Sequence, residues 1–170
     1  MMKKRLLLLV LPLVLLVSSC QVRLNGASIP DNLKTINVKY FENDAPLVVN
    51  NLSQVFTEAL KDKIRTTTKL IIVRGEADAT LEGIITSYSF APVAIQATAD
   101  NRAPVAGQTR LTISVSVTYT SPEKKNDFKN VTFSRYMDFT GDPAPQEQTL
   151  IQGINKQLTE DIFNKAFANW

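Results

Sequence analysis

The chain of 170 residues has no histidine, one cysteine and six scattered glycines. Each scarcity removes a class of chemistry. Without histidine there is no residue that titrates unperturbed near neutrality, and the commonest metal ligand is missing. Ser-His-Asp and Cys-His nucleophilic sites and ordinary zinc centres cannot be assembled from these residues. A single cysteine excludes any disulfide within the chain, even in an oxidising compartment. The glycines form no phosphate-cradling loop. Nothing in the spacing of carboxylates and lysines suggests an alternative catalytic centre, so no cofactor, metal or enzymatic activity is expected. Binding or assembly is favoured.

What is present begins at the N-terminus. Met1-Met2-Lys3-Lys4-Arg5 is a positive segment followed by twelve apolar residues, Leu6 to Val17. This is the pattern of a secretory signal and is short for a membrane-spanning helix. It ends in Val17-Ser18-Ser19-Cys20, an aliphatic residue and two small ones before the only cysteine, which is the lipobox pattern of bacterial lipoproteins. Residues 1–19 are therefore read as a lipoprotein signal peptide and Cys20 as the lipidated first residue of the mature chain. Several acyl chains on one residue make a stable anchor, each buried methylene adding about 0.8 kcal/mol. With Lys3, Lys4 and Arg5 removed, the 19 basic residues become 16, equal to the 16 acidic ones. The net charge of +3 thus belongs to the signal, and no nucleic-acid partner is expected.

Residues 20–33 form a polar tether, and 34–170 are read as a single domain without internal repeats. Thr35 to Phe41 alternates, placing Ile36, Val38 and Tyr40 on one strand face. Asn51, with Gln54 three positions on, is a capping pattern for a helix whose stripe is Leu52, Val55, Phe56, Ala59, Leu60 and Ile64. Leu70 to Val73 reads as an interior strand buried on both faces. Ala79 to Ala91 is a longer strand with Gly83 as a candidate bulge. Arg110 to Thr120 alternates most clearly, with Thr112, Ser114, Ser116 and Thr118 forming a hydroxyl row opposite Leu111, Ile113, Val115, Val117 and Tyr119. A returning strand carries Val131, Phe133 and Met137, interrupted by Arg135, which is expected to snorkel or pair with an acid. A closing helix runs from about Glu147 to Asn169 with Ile151, Ile154, Leu158, Ile162, Ala166 and Phe167 inward and Trp170 as an end anchor. The expected fold class is α+β: two helices on one face of a four- to five-stranded mixed, mostly antiparallel sheet. If strands after the first crossover alternate, the tether shares one end with the 92–108 and 141–146 loops, and the Ser121 to Asp127 turn lies at the other.

Several stretches, taken together, resemble one family. They are the lipobox, Gly26-Ala27-Ser28-Ile29-Pro30, Thr35-Ile36-Asn37-Val38-Lys39-Tyr40-Phe41, the helix from Leu52 to Lys63, Arg110-Leu111-Thr112-Ile113 and the close from Asp161 to Trp170. In these the chain is similar to the LptE family of lipopolysaccharide-assembly lipoproteins, over nearly the whole mature length. The resemblance implies an outer-membrane lipoprotein that faces the periplasm, is anchored in the inner leaflet by lipid such as palmitate, and has β-barrel LptD and lipopolysaccharide as partners. In such a role it plugs and assembles the translocating barrel and helps deliver lipopolysaccharide to the cell surface. Gln21 after the cysteine permits outer-membrane sorting. The alternative reading is an envelope lipoprotein module for another partner, such as an activator of a cell-wall synthase.

For lipopolysaccharide contact the candidates are Lys124, Lys125, Lys129 and Arg110, because phosphates call for cations; Arg102 lies nearer Arg110. The competing reading makes them solvated turn residues offset by Glu123 and Asp127. The 92–108 loop is long for a hairpin, which fits partner contact or disorder alike. Replacing Cys20 with serine is expected to move the protein from the membrane to the soluble fraction on cell fractionation. Retention on the membrane would end the lipoprotein reading.

Overall fold

The computed structural model describes residues 29–47, 49, 51–93, 107–124 and 126–168. Cys20, Lys125, Arg102 and Trp170, and most of the 92–108 loop, lie outside the described residues. The elements are β1 (Thr35–Val38), β2 (Glu42–Asn43), α1 (Leu52–Thr67), β3 (Ile71–Ile72), β4 (Ala79–Pro92), β5 (Gln108–Thr120), β6 (Phe128–Thr140) and α2 (Glu147–Phe167). They build one sheet in the order β3-β1-β4-β5-β6, with β2 as an additional partner of β4. Both helices pack on one face, where Ile36, Leu81, Ile85, Ile113 and Val115 meet Leu52, Phe56, Leu60, Ile154, Leu158 and Ile162. This is the expected α+β class.

The first strand is shorter than its alternation suggests. Pairing with β4 stops at Val38 and resumes at Glu42, opposite Ile84. Across this break Phe41 turns inward instead of Tyr40. Its N–H donates to Thr57 Oγ1 at 3.1 Å, and its ring meets Phe56 edge-on at 5.1 Å. Tyr40 is left 59% exposed. Opposite the break, Gly83 is not a bulge but a place of close approach. A Cβ there would lie 2.2 Å from the Ser116 carbonyl oxygen and 2.7 Å from the Phe41 ring.

The actual bulge is at Thr86, between the Ile85/Val115 and Ser87/Ser114 pairs. It resets the side-chain parity of β4, so that Leu81 and Ile85 before it and Tyr88 and Phe90 after it all face the core. A second irregularity in β6 sets Lys129 and Asn130 opposite Thr118, with Asn130 left-handed at φ 51°. It likewise brings both Phe128 and Val131 inward.

Two further expectations are corrected. β3 is an edge strand paired only with β1, which leaves Ile71 63% exposed rather than buried on both faces. Asn51 does precede α1, but in the left-handed region (φ 69°) with no side-chain capping bond. Its carbonyl instead accepts the Val55 N–H at 2.8 Å. The helix ends as expected in the threonine run, where Thr68 N–H and Oγ1 both donate to the Ile64 carbonyl.

The orientation of β4 decides which loops share an end. β4 runs parallel to β1, as β3 does. The chain therefore passes from one edge of β1 to the other between Val73 and Asp78. Asp78 fastens this crossing: its Oδ2 accepts from the Lys34 and Thr35 N–H groups at 3.0 and 2.8 Å, and its N–H donates to Thr35 Oγ1. The Asn37 side-chain amide donates to the Gly75 carbonyl at 2.8 Å. With β4 reversed relative to the expectation, the Ser121 to Asp127 turn lies at the end where the chain enters from Ile29. The 141–146 connection and both ends of the 92–108 loop lie at the opposite end. The expected separation of tether and Lys124 is therefore overturned.

Replacing Gly83 with alanine is expected to cost about 1–3 kcal/mol, because backbone lies directly in the path of the new methyl. A lowered urea midpoint at unchanged m would show it. The hydrogen bonds from Thr35 and the Lys34 N–H hold the Asp78 carboxyl below its ordinary value of 3.8. Its stabilisation is therefore complete above that value and fades as pH falls through the lowered folded-state pKa. Asp78→Ala is expected to lower stability at neutral pH and to flatten its decline in acid, as read from denaturation midpoints across that range.

Candidate functional site

With the helices on one face, the opposite face of β4, β5 and β6 is open. Cross-strand register lines up its side chains in rows: Ser87, Ser114 and Ser134; Ser89, Thr112 and Tyr136; Ile84, Ser116 and Thr132. The hydroxyl row on β5 is thus the middle column of a three-strand surface. Ser114 and Ser134 hydroxyls bond to each other at 2.9 Å. Each hydroxyl can donate or accept, and none carries a charge whose hydration would be lost on burial. Short side chains also let a flat partner come close.

Two ion pairs sit at the ends of this face, and the exposed carboxylate of Glu42 lies beside Ile84 with no ion pair among the described residues. At one end Lys39 bonds Glu82. At the other, Arg110 grips Asp138 with both arms, Nε at 2.7 Å and Nη2 at 2.9 Å, and lies 3.7 Å above the Tyr136 ring. The Asp138 contact raises the Arg110 pKa, and the Arg110 hydrogen bond holds Asp138 below the usual carboxylate range. A phosphate approaching Arg110 has to compete with Asp138 for the same fork of donors.

The other described cation candidates lie elsewhere. Lys124 occupies a left-handed turn position (φ 55°), and Lys129 sits at the β6 irregularity; both are exposed. The turn is closed by Asp127 Oδ1, which accepts from the Ser121 N–H and hydroxyl at 2.8 and 2.9 Å. From Arg110 to Thr120 β5 rises roughly 33 Å, so Arg110 and Lys124 do not form one site. Arg135, on the helix-covered face, pairs with Asp161 of α2 through Nε and Nη2, the second bond at 2.7 Å.

A cavity of about 70 Å³ at the entry end is lined by Leu33, Tyr119, Pro122 and Phe167. Burial pushes the Tyr119 hydroxyl up to about 12, against a lowering by Ser121. At the far end the Tyr88 hydroxyl donates to Glu147 at 2.6 Å, and burial, then this bond, raises its pKa. Among the described residues there is no cluster of three or more potential metal ligands, and no helix is long and apolar enough to cross a membrane.

The columns on β4 and β6 escaped sequence reasoning, because a row across strands needs the register. The parity changes at Thr86 and Asn130 are the signal that could have supplied it. Asn155 was missed as well, although it interrupts the apolar stripe of α2.

An open-faced, two-layer α+β domain with a neutral hydroxyl surface and two covering helices is the class of protein this architecture defines. The LptE family, described as lipopolysaccharide-assembly, matches residues 33–166, and the chain belongs to it. The fold recurs in an uncharacterised lipoprotein B of Nitrosomonas europaea. That structure is 13% identical at a TM-score of 0.51, and the match covers 85% of this chain and 88% of that one. It recurs also in the hypothetical protein CT253 of Chlamydia trachomatis, 8% identical at a TM-score of 0.53, over 81% and 99% of the two chains. No curated protein matches the sequence.

Proposed function

We propose that this chain is an outer-membrane lipoprotein, anchored through Cys20, that occupies and assembles a lipopolysaccharide-translocating β-barrel of the LptD type. The family match over residues 33–166 carries the reading. The open sheet face supports it in physical terms. A barrel lumen is lined with polar side chains that alternate with lipid-facing ones. Hydroxyls at Ser114, Ser116, Thr132 and Ser134 meet such a wall without stranding a charge. The work done is equilibrium binding and steric filling, with no bond made or broken, so the protein acts without catalysis or cofactor.

Lipopolysaccharide contact through Lys124, Lys125 and Lys129 is the finer part of this proposal. Lys124 and Lys129 are exposed and uncommitted to any ion pair among the described residues, whereas Arg110 is held by Asp138. The lysines are therefore the better phosphate candidates. Lys124 and Lys129 lie at the end of the domain where the chain enters from Ile29.

Detergent extraction with crosslinking and mass spectrometry tests the partner: a large β-barrel is expected, and a murein synthase in its place would favour the activator reading. Ser116→Arg tests the face. The unfolding free energy should change by no more than about 0.5 kcal/mol, while barrel co-purification falls sharply. Undiminished co-purification would move the contact off this surface.

A further inference from the structure

We propose that the groove between α1 and α2 is a second docking surface, which takes an extended backbone segment of the barrel partner across the side-chain amide of Asn155. It rests on the barrel reading above. Asn155 is 1% exposed on α2 between Ile154 and Leu158, and neither its Nδ2 nor its Oδ1 has a hydrogen-bond partner among the described residues. Among the described residues the only other buried side-chain polar atom without a partner is Asn43 Nδ2, whose Oδ1 is bonded to the Ala45 N–H; the two other fully buried polar side chains are satisfied. Thr57 accepts the Phe41 N–H, and Thr159 donates to the Lys156 carbonyl. A buried amide with no partner carries a desolvation penalty that nothing in the domain offsets. Leucine at this position would continue the stripe and remove the penalty.

The space beside Asn155 is a groove of about 500 Å³. Val55 and Ala59 of α1 form part of its lining, and Ala59 is too short to fill the gap. The amide offers one donor group and one acceptor, the complement of a peptide C=O and N–H. Its rim mixes Asp62 and Glu160 with Lys63 and Lys156, so a ligand of one charge sign gains no net attraction, and neutral backbone suits it better. Lys63 lines the same groove. It sits 3.6 Å from Glu160 and 5.4 Å from the Phe163 ring centroid, a loose ion pair that can part to admit a strand or loop.

The test uses the full lipidated chain co-expressed with its barrel. Asn155→Leu, and Asn155→Ala in case leucine overfills the site, should leave the thermal midpoint of the chain unchanged or raised. Each should hold the barrel roughly tenfold less tightly. A photo-crosslinking residue at Gln152 should form an adduct with the barrel. A gain in stability with a loss of binding cannot come from unfolding. Undiminished barrel retention in both variants, as expected if a sugar or lipid fills the groove instead, would overturn the inference while leaving the barrel reading intact. A lowered midpoint in both would overturn it too, by showing that the amide is satisfied within the fold. A wild-type chain that holds no barrel at all removes the barrel reading itself, and the groove's occupant with it.

Discussion

The parallel alignment of β4 with β1 is the constraint from which the rest of the molecule follows. It obliges the chain to pass β1 within the residues from Val73 to Asp78, a span that Asp78 fastens to Thr35 and the Lys34 N–H. Once β4 starts beside the entry of β1, the two antiparallel turns that follow have no freedom in where they fall. The Ser121 to Asp127 turn returns to the entry end, and the β4–β5 and β6–α2 connections are carried away from it. β4 also carries two strands along one edge, β1 and then β2, and β5 along the other. It can serve both only because Gly83 leaves room for the Ser116 carbonyl and the Phe41 ring in the same place.

The helices make the domain two-layered, and in doing so define what remains uncovered. Their stripes use nearly all the large apolar side chains of β1, β4 and β5. The opposite face is left mainly with serine, threonine and ion pairs at its ends, with Ile84, Tyr136 and the Glu42 carboxylate also exposed. This division is a consequence of strand alternation, enforced twice by bulges that correct the parity where the sequence changes step. The same economy makes Asn155 conspicuous: on a helix where neighbouring inward positions are aliphatic, it is a polar group buried without internal use.

Most of the fold was legible because its long elements repeat their patterns many times. β5 alternates over its whole length, and α2 keeps its stripe from Ile151 to Phe167, so each carries ample redundant signal. The errors lie where one or two residues decide the outcome. Whether Tyr40 or Phe41 turns inward depends on a hydrogen bond to Thr57, which is far off in sequence. Ile71 reads as interior by its neighbours yet ends at an edge, since burial depends on which strand comes next and not on hydropathy. The direction of β4 could not be read from any local pattern, because a short crossing and a tight reversal have the same composition of glycine and acidic residues. The candidate surface suffered from the same limit. One column of hydroxyls is visible in a sequence, whereas a field of them exists only after strands are in register.

The pairing of Arg110 with Asp138 and of Lys39 with Glu82 has a consequence for ionic strength. Salt weakens contacts between exposed free charges, most of all those more than about 8–10 Å apart, but it has little hold on contacts between uncharged hydroxyls. A contact made across this sheet face therefore persists as the surrounding electrolyte is concentrated or diluted. One made through the lysines of the 121–127 turn loosens as salt rises. On the proposed reading, a single domain would offer one grip little affected by the medium and one that answers to it.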